Sequence, residues 1–235
     1  MKLIDPFVDP TTSLNPSFNP YVKMLQVGLA SGELPVLYGP ALNHIAGRWR
    51  EKFSAMAAAP RELILEIGCH KGDVLIEMAQ AHPEKAFIGM DITFKRVVKT
   101  AQKIQKLGLK NVISVLANAE KIELLFAEAE LNGVVLFFPD PWILKKNTGK
   151  KRLFNQLFAH KLDSIVAARG FVWLKTDALI YYENAQEFMN NSLFFPEPTP
   201  RGIPAETYLS CFERSFLEMD VATHHITWVK RPKIS

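Results

Sequence analysis

Between residues 61 and 191, short apolar runs alternate with amphipathic stretches at close spacing, and this rhythm constrains the fold more than any other feature. The runs Leu63–Ile67, 86–90, Val112–Leu116, 134–138 and 171–174 are strand-length and bounded by turn residues. The segments Asp73–Ala81, Phe94–Leu107, 120–130, 153–168 and 179–191 read as helices, the second stopped by Gly108. In 153–168 the apolar residues Phe154, Leu157, Phe158, Leu162, Ile165 and Val166 recur at helical spacing. Strands that alternate with helices build a parallel sheet, and right-handed crossovers make it doubly wound and Rossmann-like. The C-terminal stretch breaks the rhythm. Residues 195–200 read as a loop, 205–219 as a helix and 221–229 as a last strand, antiparallel in an otherwise mostly parallel sheet.

The first sixty residues differ. They hold seven of the fifteen prolines and read as extended segments around one or two helices. Residues 42–56 have helical spacing through Leu42, Ile45, Trp49, Phe53 and Met56. This divides the chain into a proline-rich extension over 1–60, with a helix packed on the core, and a main domain over 61–235. The longest apolar run, 134–138, is far below the ~20 residues of a membrane span. The first residues lack the apolar stretch of a secretory signal. Two cysteines, Cys69 and Cys211, form neither a disulfide framework nor a four-cysteine metal site, so no metal and a cytoplasmic location are expected.

Charge is unevenly spread. From residue 141 to 175 there are eight Lys or Arg against one acid, Asp163, so this segment carries +7 and the remainder −3 of the net +4. Lys145, Lys146, Lys150, Lys151 and Arg152 form its densest part. Such a patch suits a polyanion.

Ligands of doubly wound sheets bind beyond the carboxyl ends of the strands. The first strand runs into Glu66-Ile67-Gly68-Cys69-His70-Lys71-Gly72, a strand-to-helix turn whose Gly68 and Gly72 let the backbone approach a ligand. The next strand ends at Asp91, placed to hold a ribose diol, and the third at Asn118, placed to meet an adenine edge. The glycine spacing is not that of a dinucleotide fingerprint, and the three polar positions fit S-adenosylmethionine better than NAD. The fourth strand runs into Asp140, held between two prolines that each fix φ at about −65°. Asp177 follows the fifth, where it serves either a site or the N-cap of the next helix.

Taken together these residues resemble the bacterial tRNA (guanine-N7-)-methyltransferase family. The narrowest element is Phe138-Pro139-Asp140-Pro141-Trp142 with Lys145-Lys146 and Lys150-Lys151-Arg152, then Lys175-Thr176-Asp177 and Phe212-Glu213. The likeness runs from about residue 61 to 228. It implies a class I methyltransferase that uses S-adenosylmethionine to methylate N7 of a variable-loop guanine in tRNA. It further implies that Glu66, Asp91, Asn118 and Asp140 surround the cofactor and that Asp140 is catalytic. Lys145, Asp177 and the element Ser210-Cys211-Phe212-Glu213 would contact the tRNA substrate, and the basic run the tRNA backbone. The chain differs from the family pattern at His70 (glycine), Asp91 (glutamate), Asn118 (aspartate) and Ser210 (threonine). Other readings of the same residues are a methyltransferase for another RNA or a small molecule, and a non-catalytic RNA-binding paralogue. A monomer or homodimer is expected.

Overall fold

A computed structural model describes residues 19–56, 59–140, 153–197 and 208–232. The chain divides into two compact units, Met1–Ala127 and Glu128–Ser235. The architecture is α/β and Rossmann-like, with mostly parallel strands and one antiparallel strand, β8 (His224–Lys230), near the C-terminus.

In the first unit β1 (Val36–Tyr38), β4 (Val112–Leu116), β3 (Ala86–Asp91) and β2 (Leu63–Ile67) lie side by side in that order, all parallel. Every residue of β2, β3 and β4 is buried, which is why these strands read as continuous apolar runs. The crossovers are α3 (Asp73–Ala81) and α4 (Phe94–Leu107), both with the bounds read from the sequence. Gly108, at φ 66°, ends α4 by donating its N–H back to Ile104 and Gln105. In the proline-rich stretch, α1 (Pro20–Ser31) starts at the Asn19 cap with Pro20 in its first turn and stops at left-handed Gly32. Its Val22 and Leu25 pack with Phe94, Val97, Val98 and Ala101 of α4.

Two expected helices of this unit are cut short. In 42–56 only α2 (Trp49–Ser54) is α-helical, because His44 (φ 62°) and Gly47 (φ 79°) turn the chain just before it. Trp49 then stacks on Phe126 and donates its indole N–H to the Leu125 carbonyl at 2.8 Å. The segment 120–130 contains a 3-10 stretch, Ala119–Leu124, with Lys121 off the helical path. The chain is already extended at Leu131, three residues before the expected strand, so no room remains for a full helix.

In the second unit the order is β5 (Leu131–Phe137), β6 (Val166–Thr176), β8 and β7 (Phe194–Pro196). β5 and β6 are parallel, with Phe137 opposite Lys175, while β8 runs antiparallel to both its neighbours. Residues 194–196, read in part as loop, thus form an edge strand, where a proline is tolerated. The helix expected over 153–168 is α5 (Gln156–Ile165). It begins late because Asn155 caps it, accepting from Phe158 N–H at 3.0 Å, and it ends early because the chain passes directly into β6. Leu157, one of the apolar residues at helical spacing, is 65% exposed. α6 (Leu179–Asn190) matches its reading to one residue. The helix expected over 205–219 is described only as α7 (Cys211–Glu218), and 205–207 lie outside the described residues. Among the described residues no helix is long and apolar enough to cross a membrane.

Candidate active site

The first unit supplies a glycine turn flanked by buried acids. β2 delivers Glu66 into the turn at 4% exposure. One of its oxygens accepts the Leu75 N–H, and Oε2 has no hydrogen-bond partner. Burial pushes the carboxyl up to about 8, and the charges of Asp73 and Asp91 push the same way. Gly68, at φ 73°, has open space where a side chain would project. At Gly72, φ 70°, a Cβ would lie 2.5 Å from Thr100 Cγ2, so only glycine lets the turn close on α4. His70 also takes the left-handed conformation, at φ 51°, so the turn keeps a glycine-like backbone around a half-buried imidazole. Its protonated form is disfavoured by burial first and then by Arg96 and Lys71.

Asp91, at the end of β3, is 4% exposed and ties the turn together. It accepts from His70 N–H at 3.2 Å and Thr93 N–H at 2.8 Å, and pairs with Arg96 at 3.5 Å. A carboxylate has about four acceptor positions, so one remains for a ligand hydroxyl. Asn118 caps the turn after β4, its Oδ1 accepting from Glu120 N–H at 2.9 Å, which leaves its amide N–H groups as donors.

The second unit carries the other acids. Just beyond β5, Phe138 has a φ of 51° that turns the chain, and its N–H donates to the Lys175 carbonyl at 2.8 Å. Asp140 follows, exposed, and its carboxylate makes no hydrogen bond or ion pair with the described residues. Asp177 is half-buried and equally unengaged. It is not the cap of α6: that position is Ala178, whose N–H bonds Thr176 Oγ1 at 3.1 Å. The N-cap reading of Asp177 therefore falls away.

Lys175 links these strand ends to α7. Its ammonium, buried at 3% exposure, meets both oxygens of Glu213 at 2.8 Å and the Tyr208 carbonyl at 3.0 Å. It also lies 5.0 Å from the ring centre of Phe137 and 5.3 Å from that of Trp173. This corrects the charge count: Lys175 neutralises a buried acid and is not part of a surface for polyanions. Ser210 caps α7, accepting from Glu213 N–H at 3.1 Å, so the Ser210-Cys211-Phe212-Glu213 element is an N-cap that holds Glu213 in place. In a full capping box the glutamate would return to the cap residue's N–H, but here its carboxylate goes to Lys175. Phe212 is 40% exposed on the same turn. Lys145, Lys146, Lys150, Lys151 and Arg152 lie outside the described residues.

A family model described as "Putative methyltransferase" matches residues 60–209. A Fusobacterium nucleatum protein named bifunctional glycosyltransferase/methyltransferase is 31% identical over 147 residues, 63% of this chain and 22% of that one. A Geobacillus kaustophilus tRNA (guanine-N(7)-)-methyltransferase is 38% identical over 137 residues, 58% of this chain and 61% of that one. The match thus spans less than two-thirds of either relative's length. In fold the chain is similar to a solved 16S rRNA methyltransferase, KamB, at TM-score 0.57 and 11% identity, with 77% of this chain and 92% of that chain covered.

Proposed function

We propose that this chain, which belongs to the methyltransferase family matched over residues 60–209, transfers a methyl group from S-adenosylmethionine to N7 of a guanine in tRNA. The observation that carries this reading is the pair of unengaged carboxylates, Asp140 and Asp177, at two neighbouring strand ends that share the buried Lys175–Glu213 link. Relatives named for this activity support the choice of substrate.

The first unit suits the cofactor. The unpartnered Oε2 of Glu66 is an acceptor for an ammonium, Asp91 keeps one position for a ribose hydroxyl, and Asn118 offers an N–H to an adenine nitrogen. Gly68 and Gly72 would let the ligand close on the turn. S-adenosylmethionine supplies an electrophilic methyl on a sulfonium centre when bound.

Guanine N7 already holds a lone pair, so the protein needs no general base. Its task is to align nitrogen and methyl carbon and to exclude water. Positive charge passes to the purine, and the fixed carboxylate of Asp140 stabilises it. The Watson–Crick edge of guanine presents N–H donors, and Asp177 and Glu213 are acceptors of the matching kind. Adenine lacks that donor pattern. Lys145 and the cationic run Lys146, Lys150, Lys151 and Arg152 would hold the substrate and its backbone.

The test is transfer of labelled methyl to unmodified tRNA, with nucleoside mass spectrometry of the product. The expected product is 7-methylguanosine, with Asp140→Asn lowering kcat by roughly 10²–10³-fold. Near-normal turnover in Asp140→Asn removes the assigned role. Cofactor binding without transfer to tRNA redirects the search to another substrate.

A further inference from the structure

The first unit carries a second charge feature that the catalytic reading leaves unused. Between Asp91 and Glu120 the sequence has six basic residues, Lys95, Arg96, Lys99, Lys103, Lys106 and Lys110, and no acid. The first five are on α4. At 3.6 residues per turn they fall within about 100° of arc. That arc is opposite the buried Phe94, Val97, Val98, Ala101 and Ile104. Arg96 pairs with Asp91, and Lys103 with Asp73 and the Lys71 carbonyl. Lys95, Lys99 and Lys106 are exposed and have no ion pair among the described residues.

This arrangement opposes the helix that bears it. Two cations and no acid stand in the first turn, against the helix dipole. Lys95 and Lys99, and Lys99 and Lys103, are like charges four residues apart, and Lys103 and Lys106 are three apart. No acid within α4 offsets the repulsion, whereas an external polyanion would. Four residues of helix advance about 6 Å, comparable to the step between successive phosphates on an A-form strand. α4 begins just beyond Asp91, so its cationic face starts at the cofactor turn and leads away from it.

We propose that the exposed cationic face of α4 is a docking track for the sugar–phosphate backbone of a structured RNA. The proposal rests on the tRNA reading above and adds to it a surface that holds the substrate away from the target base. Lys95, Lys99 and Lys106 contact phosphates directly, while Arg96 and Lys103 stay with the acids of the turn.

The test compares the wild type with Lys95→Gln/Lys99→Gln/Lys106→Gln. Binding of a tRNA transcript is titrated at several salt concentrations, S-adenosylhomocysteine binding is measured by calorimetry, and methyl transfer to tRNA is followed. A control, Lys23→Gln/Lys52→Gln/Lys121→Gln, removes the same charge elsewhere in the unit. The triple variant is expected to bind tRNA roughly tenfold more weakly near ~0.1 M salt and to lose about two to three from the salt slope. Its KM for tRNA rises, while S-adenosylhomocysteine affinity and kcat at saturating tRNA hold and the control stays near wild type. Unchanged affinity and slope overturn the track, and so does an equal loss in the control. Binding to anionic phosphatidylglycerol vesicles that needs these lysines, with RNA binding independent of them, overturns it in favour of a membrane surface. A wild type that methylates tRNA while the variant binds normally rejects the track alone. A wild type that binds RNA through these lysines but transfers no methyl rejects the guanine-N7 reading alone.

Discussion

A lysine ammonium at 3% exposure survives because Glu213 meets it with both oxygens, Tyr208 adds a carbonyl, and two aromatic faces complete its surroundings. Removing one partner strands the other charge. Lys175→Met is expected to cost about 3–5 kcal/mol in urea unfolding, and Lys175→Met/Glu213→Leu to recover most of it. The double variant remains inactive if Glu213 meets the guanine, so recovered stability with recovered transfer counts against that role. This pair was not readable in the chain. In the sequence Lys175 reads with seven other cations as a charge for a polyanion, because composition does not distinguish an exposed ammonium from a paired one. By contrast the strand-end positions of Asp140, Asp177, Glu66 and Asp91 are legible in the sequence, since a change from an apolar run to polar and turn residues marks where a strand stops.

The helices that matched their reading to within a residue, α3, α4 and α6, have a sustained apolar face, and in α4 a glycine stop as well. Those that shortened most, at 42–56 and 120–130, have apolar spacing but lie where the chain must turn to meet a strand. Local periodicity is a weak prior against such a demand. α7 shows what a cap contributes. Ser210→Ala removes the acceptor for Glu213 N–H and should destabilise by about 1 kcal/mol, read as a lower denaturant midpoint. It should also raise KM for tRNA, since the same turn presents Glu213 and Phe212. Ser210→Thr keeps the hydroxyl and should restore both. In the first unit Leu25 is fully buried where α1 meets α4. Leu25→Ala should cost about 2–5 kcal/mol in chemical unfolding, and a loss under 1 kcal/mol would mean α1 is not part of that core.

Glu66 links the glycine turn after β2 to the stability of the whole chain. Its carboxyl, near 4.3 in an unfolded chain, is pushed up to about 8 in the folded one. The folded state therefore retains a proton that the unfolded state loses. The stability this proton contributes is full below the unfolded value and is lost as pH rises through about 8. His70, disfavoured as a cation, acts in the opposite sense, with stability gained as pH rises. The difference between wild type and Glu66→Gln isolates the carboxyl. In the ligand-free protein, Glu66→Gln should raise the melting temperature little at pH 5 and clearly at pH 8, and it should weaken cofactor binding. An equal effect at both pH values would show that Glu66 does not titrate between them. The α/β class, the mostly parallel strands, the strand-end acids and the family resemblance were all legible in the chain, because burial on both faces of a sheet and turns between elements leave local marks in sequence. Ser210, three residues before Glu213, carries the local mark of a helix start as well. The edge strand at Phe194–Pro196 and the pairing of Lys175 with Glu213 had no such mark. Each depends on groups brought together from distant parts of the chain, and only packing decides which polar atoms meet when water is excluded.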